Sequence, residues 1–142
     1  MLHILLVEDN PGDVRLTREA FKTSDIETSI RAVTDGDEAL EYFDECRHDD
    51  SITAPDLVLL DLNLPRVDGF EVLETIRGDE VYSRLPILVL TSSSAGEDIA
   101  RSYELHANAH LTKPDSLKGF TDLVQVVKEF WFDSAHLPPL PA

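Results

Sequence analysis

The stretch LVLLDLNLPRVDG, Leu57 to Gly69, contains the feature that decides the fold. An unbroken apolar run, Leu57–Leu60, ends on a single acid, Asp61, and Pro65 follows four residues later. Continuous rather than alternating apolar residues predict a strand that is covered on both faces, as in a parallel sheet. Asp61 is then either a simple strand terminator or a carboxylate that the fold positions for chemistry.

Five apolar, β-favouring runs predict five strands, with segments of helical spacing between them. These runs are Leu2–Val7, Thr28–Val33, Leu57–Leu60, Ile87–Leu90 and Ala109–Leu111. Strict alternation of strands and helices predicts an α/β fold, a doubly wound (βα)5 three-layer sandwich with a five-stranded parallel sheet and right-handed crossovers. In such folds, functional sites lie outside the carboxyl ends of the strands.

Cap chemistry predicts where several helices begin and end. Asn10 followed by Pro11 is typical of an N-cap and first helical residue, and Asp35 or Gly36 opens the second helix. The third helix is expected to end near Gly78. The longest apolar stripe predicts the fifth helix and consists of Leu117, Phe120, Val124, Val127 and Trp131.

The length of 142 residues fits one domain, expected over residues 1–132, followed by a Pro-rich tail over residues 133–142. The single cysteine, Cys46, excludes an internal disulfide framework and favours a reducing, cytoplasmic location as a surface or half-buried thiol. No run approaches the roughly 20 apolar residues of a membrane span, so we expect no membrane partner.

The charge balance is strongly acidic, with 12 basic and 28 acidic residues and a net charge of −16. Such a charge repels nucleic acid and anionic membranes, which argues against both as partners. An ordinary acidic protein is one interpretation. We favour a halophile, because multimolar salt screens like charges over a few Å and makes their density tolerable in a compact fold.

Acids follow two of the predicted strands. The first strand is followed by Glu8 and Asp9, and the third by Asp61. A parallel sheet would bring these three carboxylates to one edge, where they cannot all stay ionised unless a cation shares the site. A hard divalent ion, Mg²⁺ first, prefers such oxygen ligands. The alternative is that Glu8 and Asp9 only stabilise the positive end of the first helix.

Polar residues also follow the fourth and fifth predicted strands. The hydroxyls of the run that begins at Thr91 can cap the next helix or hydrogen-bond an oxyanion. Lys113 can balance the acids and hold a phosphoryl oxygen as a point charge, or it can be a surface lysine. Pro114 at this strand end is a candidate for a cis peptide bond.

These residues together resemble the receiver domain of two-component response regulators. Glu8-Asp9, Asp61 in the frame Asp-Leu-Asn-Leu-Pro-Arg-Val-Asp-Gly, Thr91 and Lys113-Pro114 agree with that family in type, order and separation. The resemblance extends over about residues 1–130, and it implies the flavodoxin-like, CheY-like form of the fold.

The resemblance implies a stand-alone signalling module rather than an enzyme, with only Mg²⁺-dependent self-phosphorylation and self-dephosphorylation. Asp61 would accept a phosphoryl group from a histidine kinase. Asp9 and Asp61 would bind Mg²⁺ directly, Glu8 through water, and Asn63 through its backbone carbonyl. Lys113 would bind a phosphoryl oxygen and pair with the acids when the phosphoryl group is absent.

The resemblance also implies a conformational switch. Thr91 would bond another phosphoryl oxygen and move when Asp61 is modified. The family usually carries Tyr or Phe at the fifth-strand switch position, where this chain has His110. An imidazole that turns inward behind Thr91 can titrate near neutral pH, which predicts a pH-sensitive output. The alternative is an exposed strand-end histidine.

The carboxyl end is similar to that of single-domain regulators that are paired with phytochrome kinases. It contains Glu129-Phe130-Trp131-Phe132, followed by Leu137-Pro138-Pro139. This resemblance implies a phytochrome-like sensor histidine kinase as partner, and a homodimer through the face of the fourth and fifth helices and the tail. Three adjacent aromatics cannot all face one core, but Phe132 and the tail can instead fold back over the chain's own core.

Other functions fit the residues less well. A haloacid-dehalogenase-type phosphatase needs a second acid two residues after its nucleophile, and this chain has Asn63 there. A flavin-binding carrier needs a phosphate-binding loop after the first strand, where Glu8 and Asp9 would repel phosphate. A zinc site would require separated histidines to converge, namely His3, His48 and His106.

Overall fold

The computed structural model describes residues 1–140, in which strands and helices alternate along the chain. The strands are β1 (Leu2–Val7), β2 (Thr28–Val33), β3 (Leu57–Leu60), β4 (Ile87–Thr91) and β5 (Ala109–Thr112). The helices are α1 (Pro11–Lys22), α2 (Gly36–His48), α3 (Gly69–Arg77), α4 (Gly96–Glu104) and α5 (Leu117–Val127). A π-helical turn over Lys128–Ser134 continues α5.

The five strands form one parallel sheet in the order β2-β1-β3-β4-β5. The strand order reverses between β1 and β3, which is the position where ligand sites form in open α/β sheets. Val7 pairs with Leu60 in the register of these two strands. The next residues, Glu8 and Asp61, therefore leave the sheet side by side.

The core lies in two layers, one on each face of the sheet. Leu60 of β3 packs beneath α2 and α3, whereas Leu59 packs against the layer that contains Phe120 of α5. Every residue of β3 is buried. Because both faces of the central strand are covered, its sequence is apolar throughout instead of alternating.

The predicted caps are confirmed. The Asn10 side chain accepts hydrogen bonds from the backbone N–H groups of Gly12 and Asp13, with Pro11 as the first helical residue. Asp35 caps α2 by accepting from the N–H of Glu38. In each case a side-chain oxygen satisfies a helix N–H group that has no partner inside the helix.

The start of α3 packs directly on the segment that carries Asp61. The N–H of Gly69 donates to the carbonyl oxygen of Leu62 over 3.0 Å. A Cβ atom at Gly69 would collide with the carbonyl oxygen of Asp61 and with the Cα atom of Leu62. The φ angle of Gly69 is not positive, so glycine is required here for the close approach of two backbone segments and not for a left-handed conformation.

The predicted fifth helix changes its hydrogen-bonding pattern within the apolar stripe. The α-helical part, α5, ends at Val127, and the π-helical turn carries the chain on past Trp131 and across the expected boundary at residue 132. Trp131 and Phe132 pack against the chain's own core, while Phe130 is 57% exposed. Farther along, Leu140 packs against the core layer on the opposite face of the sheet. The last two residues of the expected tail, 141–142, lie outside the described residues.

The expectation of a cis bond before Pro114 is wrong. All peptide bonds in the described part of the chain are trans. The N–H of Lys113 donates to the carbonyl oxygen of Thr91 over 2.8 Å, which adds one backbone hydrogen bond just beyond the end of β5. Separately, none of the helices within residues 1–140 is long and apolar enough to cross a membrane.

The close approach at Gly69 predicts a position-specific cost. We expect Gly69→Ala to lower the free energy of unfolding by about 1–3 kcal/mol, because the added methyl group forces backbone against backbone. Gly96→Ala is the matched control, since a Cβ at Gly96 meets nothing within 4 Å. Urea unfolding of both variants measures the difference, and equal stabilities would contradict the packing described for Gly69.

Candidate functional site

Three carboxylates meet at the carboxyl edge of β1 and β3, as the sequence predicts. Glu8 is 3% exposed and Asp61 4% exposed, whereas Asp9 is exposed. One carboxylate oxygen from each of the three lies within 4.8 Å of the others. Asn10 supplies the side-chain cap of α1, and a carboxylate oxygen of Glu8 accepts from the backbone N–H of Asn10 over 3.0 Å, so Glu8 contacts the start of this helix as well as the acid cluster.

Lys113 occupies the centre of the site and is not a surface lysine. Its Nζ lies 2.7 Å from a carboxylate oxygen of Glu8 and 3.0 Å from those of Asp13 and Asp61. Its side chain is only 10% exposed. Asp13 was not predicted as a site residue, because an acid in the first turn of a helix is already explained by the helix dipole.

The electrostatics of the site are dominated by burial and by excess negative charge. Burial, together with the neighbouring charge of Asp61, raises the pKa of Glu8 to about 7 against the opposing influence of Lys113. Burial alone would lower the pKa of Lys113, but hydrogen bonds to Glu8, Asp13 and Asp61 raise it overall. One permanent cation therefore faces several acids, and this imbalance suits an additional divalent cation.

The loop after β3 holds the Asp61 carboxylate in place. The N–H of Asn63 approaches Oδ1 of Asp61 at 3.3 Å, while Oδ2 of the same carboxylate receives Lys113. The side chain of Asn63 is exposed at the mouth of the site. Each oxygen of Asp61 thus has its own polar neighbour, which fixes the plane of the carboxylate.

Thr91 is fully buried at the end of β4, at the same edge of the sheet. The expected hydroxyl cap of the next helix is absent, because the N-cap of α4 is Ala95 and it makes no side-chain cap bond. The Ser93 hydroxyl instead donates to a carboxylate oxygen of Asp98 over 2.6 Å. This hydrogen bond connects the loop after Thr91 to α4.

His110 is turned inward and half-buried, so the alternative of an exposed strand-end histidine is wrong. Its Nε2 lies 3.0 Å from the carbonyl oxygen of Ser93, and its Nδ1 lies 3.0 Å from the hydroxyl oxygen of Ser102. Ser102 is fully buried in α4 and was not predicted. A small polar residue on an amphipathic helix carries no sequence signal that distinguishes it from ordinary packing.

The remaining candidates lie outside this site. Among residues 1–140, the acids Glu8, Asp9 and Asp61 are the group of three potential ligands close enough to share an ion, and the histidines His3, His48 and His106 do not form another. Cys46 is buried rather than a surface or half-buried thiol, and burial raises the pKa of its thiol. A buried thiol with a raised pKa is a weak nucleophile.

Comparison with known proteins identifies the family. Residues 4–127 match the response regulator receiver domain. Response regulator Rcp1 of Synechocystis sp. is 42% identical over 135 residues, which are 95% of this chain and 92% of Rcp1.

Solved structures agree with both the family and the predicted flavodoxin-like, CheY-like fold. The Mn²⁺-bound form of Rcp1 has a TM-score of 0.88 and 40% identity, covering 98% of this chain and 100% of that one. The phosphorylated cyanobacterial phytochrome response regulator RcpA has a TM-score of 0.90 and 41% identity, covering 97% and 99%. With its acids and Lys113 gathered at the β1–β3 edge, the chain belongs to the response regulator receiver domains, signalling modules that a kinase phosphorylates on an aspartate.

Proposed function

We propose that Asp61 is the phosphoryl acceptor of this receiver domain. The observation that carries the proposal is the ion-pair cluster in which Lys113 Nζ contacts Glu8, Asp13 and Asp61 within 3.0 Å at the reversal in strand order. Asp61 is the acid that ends the central strand of this cluster, and its carboxylate is oriented on both oxygens. Such positioning is the main requirement of phosphoryl transfer, which needs little covalent help from the protein.

The acids fit a divalent cation, and we assign Mg²⁺ to them. Asp9 and Asp61 would bind it directly, Glu8 through water, and Asn63 through its backbone carbonyl. The donor set consists of the hard oxygens that Mg²⁺ prefers, and the related Rcp1 has been solved in a Mn²⁺-bound form. When bound, the ion supplies positive charge that neutralises the transferred phosphoryl group.

The chain's own residues have separate roles in the reaction. A carboxylate oxygen of Asp61 attacks phosphorus, the bond between phosphorus and the kinase histidine nitrogen breaks, and the imidazole leaves with the electron pair. Lys113 already lies at Asp61 and would bind a phosphoryl oxygen as a fixed cation. Thr91 would donate its hydroxyl to another phosphoryl oxygen.

The protein is proposed to signal rather than to turn over substrates. A phosphatase of the haloacid dehalogenase type would need an acid at position 63, and the exposed side chain of Asn63 cannot act as a general acid or base. The proposed reactions are then only Mg²⁺-dependent self-phosphorylation and self-dephosphorylation. A cytoplasmic location, with neither nucleic acid nor membrane as partner, stays a prediction from composition and charge.

The kinase partner is proposed to be a phytochrome-like sensor histidine kinase. Support comes from RcpA, a cyanobacterial phytochrome response regulator that is 41% identical to this chain over nearly its whole length. The carboxyl-terminal aromatic run also suits that group. The signal would then pass from a light-sensing kinase to Asp61.

A homodimer through the face of α4, β5 and α5 is proposed as the signalling form. Val126 is 62% exposed and Phe130 57% exposed beside the edge strand β5. They border an apolar groove of about 340 Å³ lined by Leu88, Asn108, Ala109, Leu111, Leu123, Val126, Val127, Phe130 and Trp131. Exposed apolar surface of this kind is typical of an interface. Because Trp131 and Phe132 are partly buried against their own core, Phe130 is the most exposed aromatic of the carboxyl-terminal run.

Acetyl phosphate with Mg²⁺ tests the acceptor. We expect intact-mass spectrometry to show one added phosphoryl group, which disappears in Asp61→Asn and persists in Asp50→Asn, an exposed loop acid outside the site. Chelation of the divalent cation with EDTA should also abolish the addition. Phosphorylation that survives in Asp61→Asn would place the acceptor elsewhere.

The raised pKa of Glu8 predicts a pH-dependent effect of Mg²⁺. In EDTA, the stability contribution of Glu8 is present below pH 4.5 and is lost as pH rises through about 7, because the buried group must then ionise. The loss is about 1–3 kcal/mol in the free energy of unfolding. Mg²⁺ should offset it, so the rise in Tm on adding Mg²⁺ is expected to be larger at pH 8 than at pH 6.

Glu8→Gln supplies the control for this measurement, since the amide does not titrate. Its rise in Tm with Mg²⁺ should vary less between pH 6 and pH 8 than that of the unmodified protein. The same variation in both proteins would show that Glu8 is not the group responsible.

Sedimentation velocity tests the dimer. Val126→Glu is expected to shift the association equilibrium toward monomer at least tenfold, because a charge would be buried at the apolar face. Thr75→Glu adds the same charge to an exposed position on α3 and should have no effect. A monomeric protein both with and without beryllofluoride, a phosphoryl analogue, would rule out the dimer.

A further inference from the structure

The His110 ring connects three segments of the chain, which are β5, the loop after β4, and α4. The ring belongs to β5, its Nε2 lies 3.0 Å from the carbonyl oxygen of Ser93 in the loop after β4, and its Nδ1 lies 3.0 Å from the hydroxyl of Ser102 on α4. The backbone N–H of His110 donates to the Tyr103 hydroxyl of the same helix over 3.1 Å. The imidazole is therefore a hydrogen-bonded bridge, unlike a freely rotating aromatic ring.

Both protonation states of the ring are satisfied in this arrangement. The Ser93 carbonyl can only accept, so Nε2 must carry a proton. In the neutral ring, Nδ1 accepts from the Ser102 hydroxyl. In the charged ring, Nδ1 donates to Ser102, whose hydroxyl proton turns to the carbonyl oxygen of Asp98, 2.8 Å away.

The bridge is coupled to the residue that would meet the phosphoryl group. Ser93 lies two residues after Thr91, and its N–H is 3.5 Å from the Thr91 hydroxyl oxygen. The step that follows rests on the proposed function, in which Thr91 moves toward phosphorylated Asp61. Such a movement draws the Ser93 carbonyl away from Nε2. Losing an acceptor costs a charged donor more free energy than a neutral one.

The elements next to the His110 ring carry the following charged groups. The charged residues of α4 are Glu97, Asp98, Arg101 and Glu104, and β4 carries none. The Asp98 carboxylate is engaged by the Ser93 hydroxyl, and the Arg101 guanidinium lies 4.3 Å from the centre of the Phe70 ring. On the other side of β5, Lys113 is held by the acids of the site.

We propose that His110 is a proton-controlled latch between the β4–α4 loop and α4. The protonated ring holds Ser93 and Ser102 together and favours the resting state. Deprotonation weakens that hold and favours the state in which Thr91 contacts the phosphoryl group. By linkage, phosphorylation and proton release from His110 promote each other.

NMR of the His110 ring tests the latch directly. The chemical-shift titration of its ring protons, assigned by their loss in His110→Gln, is measured with Mg²⁺ alone and with Mg²⁺ plus beryllofluoride. We expect beryllofluoride to lower the titration midpoint by at least half a pH unit, a change of about threefold or more in proton affinity. His48 is 74% exposed on α2 and serves as the internal control. Beryllofluoride should leave the titration midpoint of its ring protons unchanged. An unchanged or raised midpoint for His110 overturns the latch.

Affinity for beryllofluoride gives the reciprocal measurement. Between pH 5.5 and pH 8, the affinity for beryllofluoride should increase by a factor about threefold larger in the unmodified protein than in His110→Gln. Both proteins share the contribution of Glu8, and only the unmodified protein has the latch. His48→Gln should behave as the unmodified protein. Equal pH dependence in the unmodified protein and His110→Gln overturns the latch while leaving the phospho-acceptor role intact. A protein that does not bind beryllofluoride at all overturns both.

Discussion

The ion-pair cluster around Lys113 is the interaction on which the rest of the site depends. One buried ammonium group contacts three carboxylates, one just after β1, one in α1 and one just after β3, and those acids would repel one another without it. A buried ion pair is a poor source of stability, because desolvation offsets the attraction. In this cluster the acids outnumber the single cation, and this shortage of positive charge creates affinity for a divalent cation.

The fold supports this cluster by bringing backbones unusually close. The reversal of strand order puts Glu8 beside Asp61, and Gly69 allows α3 to rest on the peptide group that follows Asp61. The carboxylate therefore has little freedom to move away from its neighbours. Elsewhere the surface is strongly acidic, with a net charge of −16, and the inference that the protein comes from a halophile stays a prediction.

At the fifth-strand switch position, this chain carries His110 where the family usually has Tyr or Phe, and this difference changes the chemistry of the position. An aromatic ring at the position of His110 would act through shape and packing, whereas imidazole acts through two directed hydrogen bonds to Ser93 and Ser102. Polar contacts of this kind depend on the proton content of the ring. Under the proposed latch, the same structural element would respond to pH as well as to phosphorylation.

The sequence by itself determined the (βα)5 order, the caps at Asn10 and Asp35, and the meeting of Glu8, Asp9 and Asp61, because periodicity, cap chemistry and parallel topology are local or follow from strand order. Only the tertiary structure decided that Asp13 and Ser102 join the site, that Cys46 is buried, and that Trp131 and Phe132 fold onto their own core. The physical reason is that these outcomes depend on which helix face meets which neighbour, a long-range packing choice that no short stretch of sequence encodes.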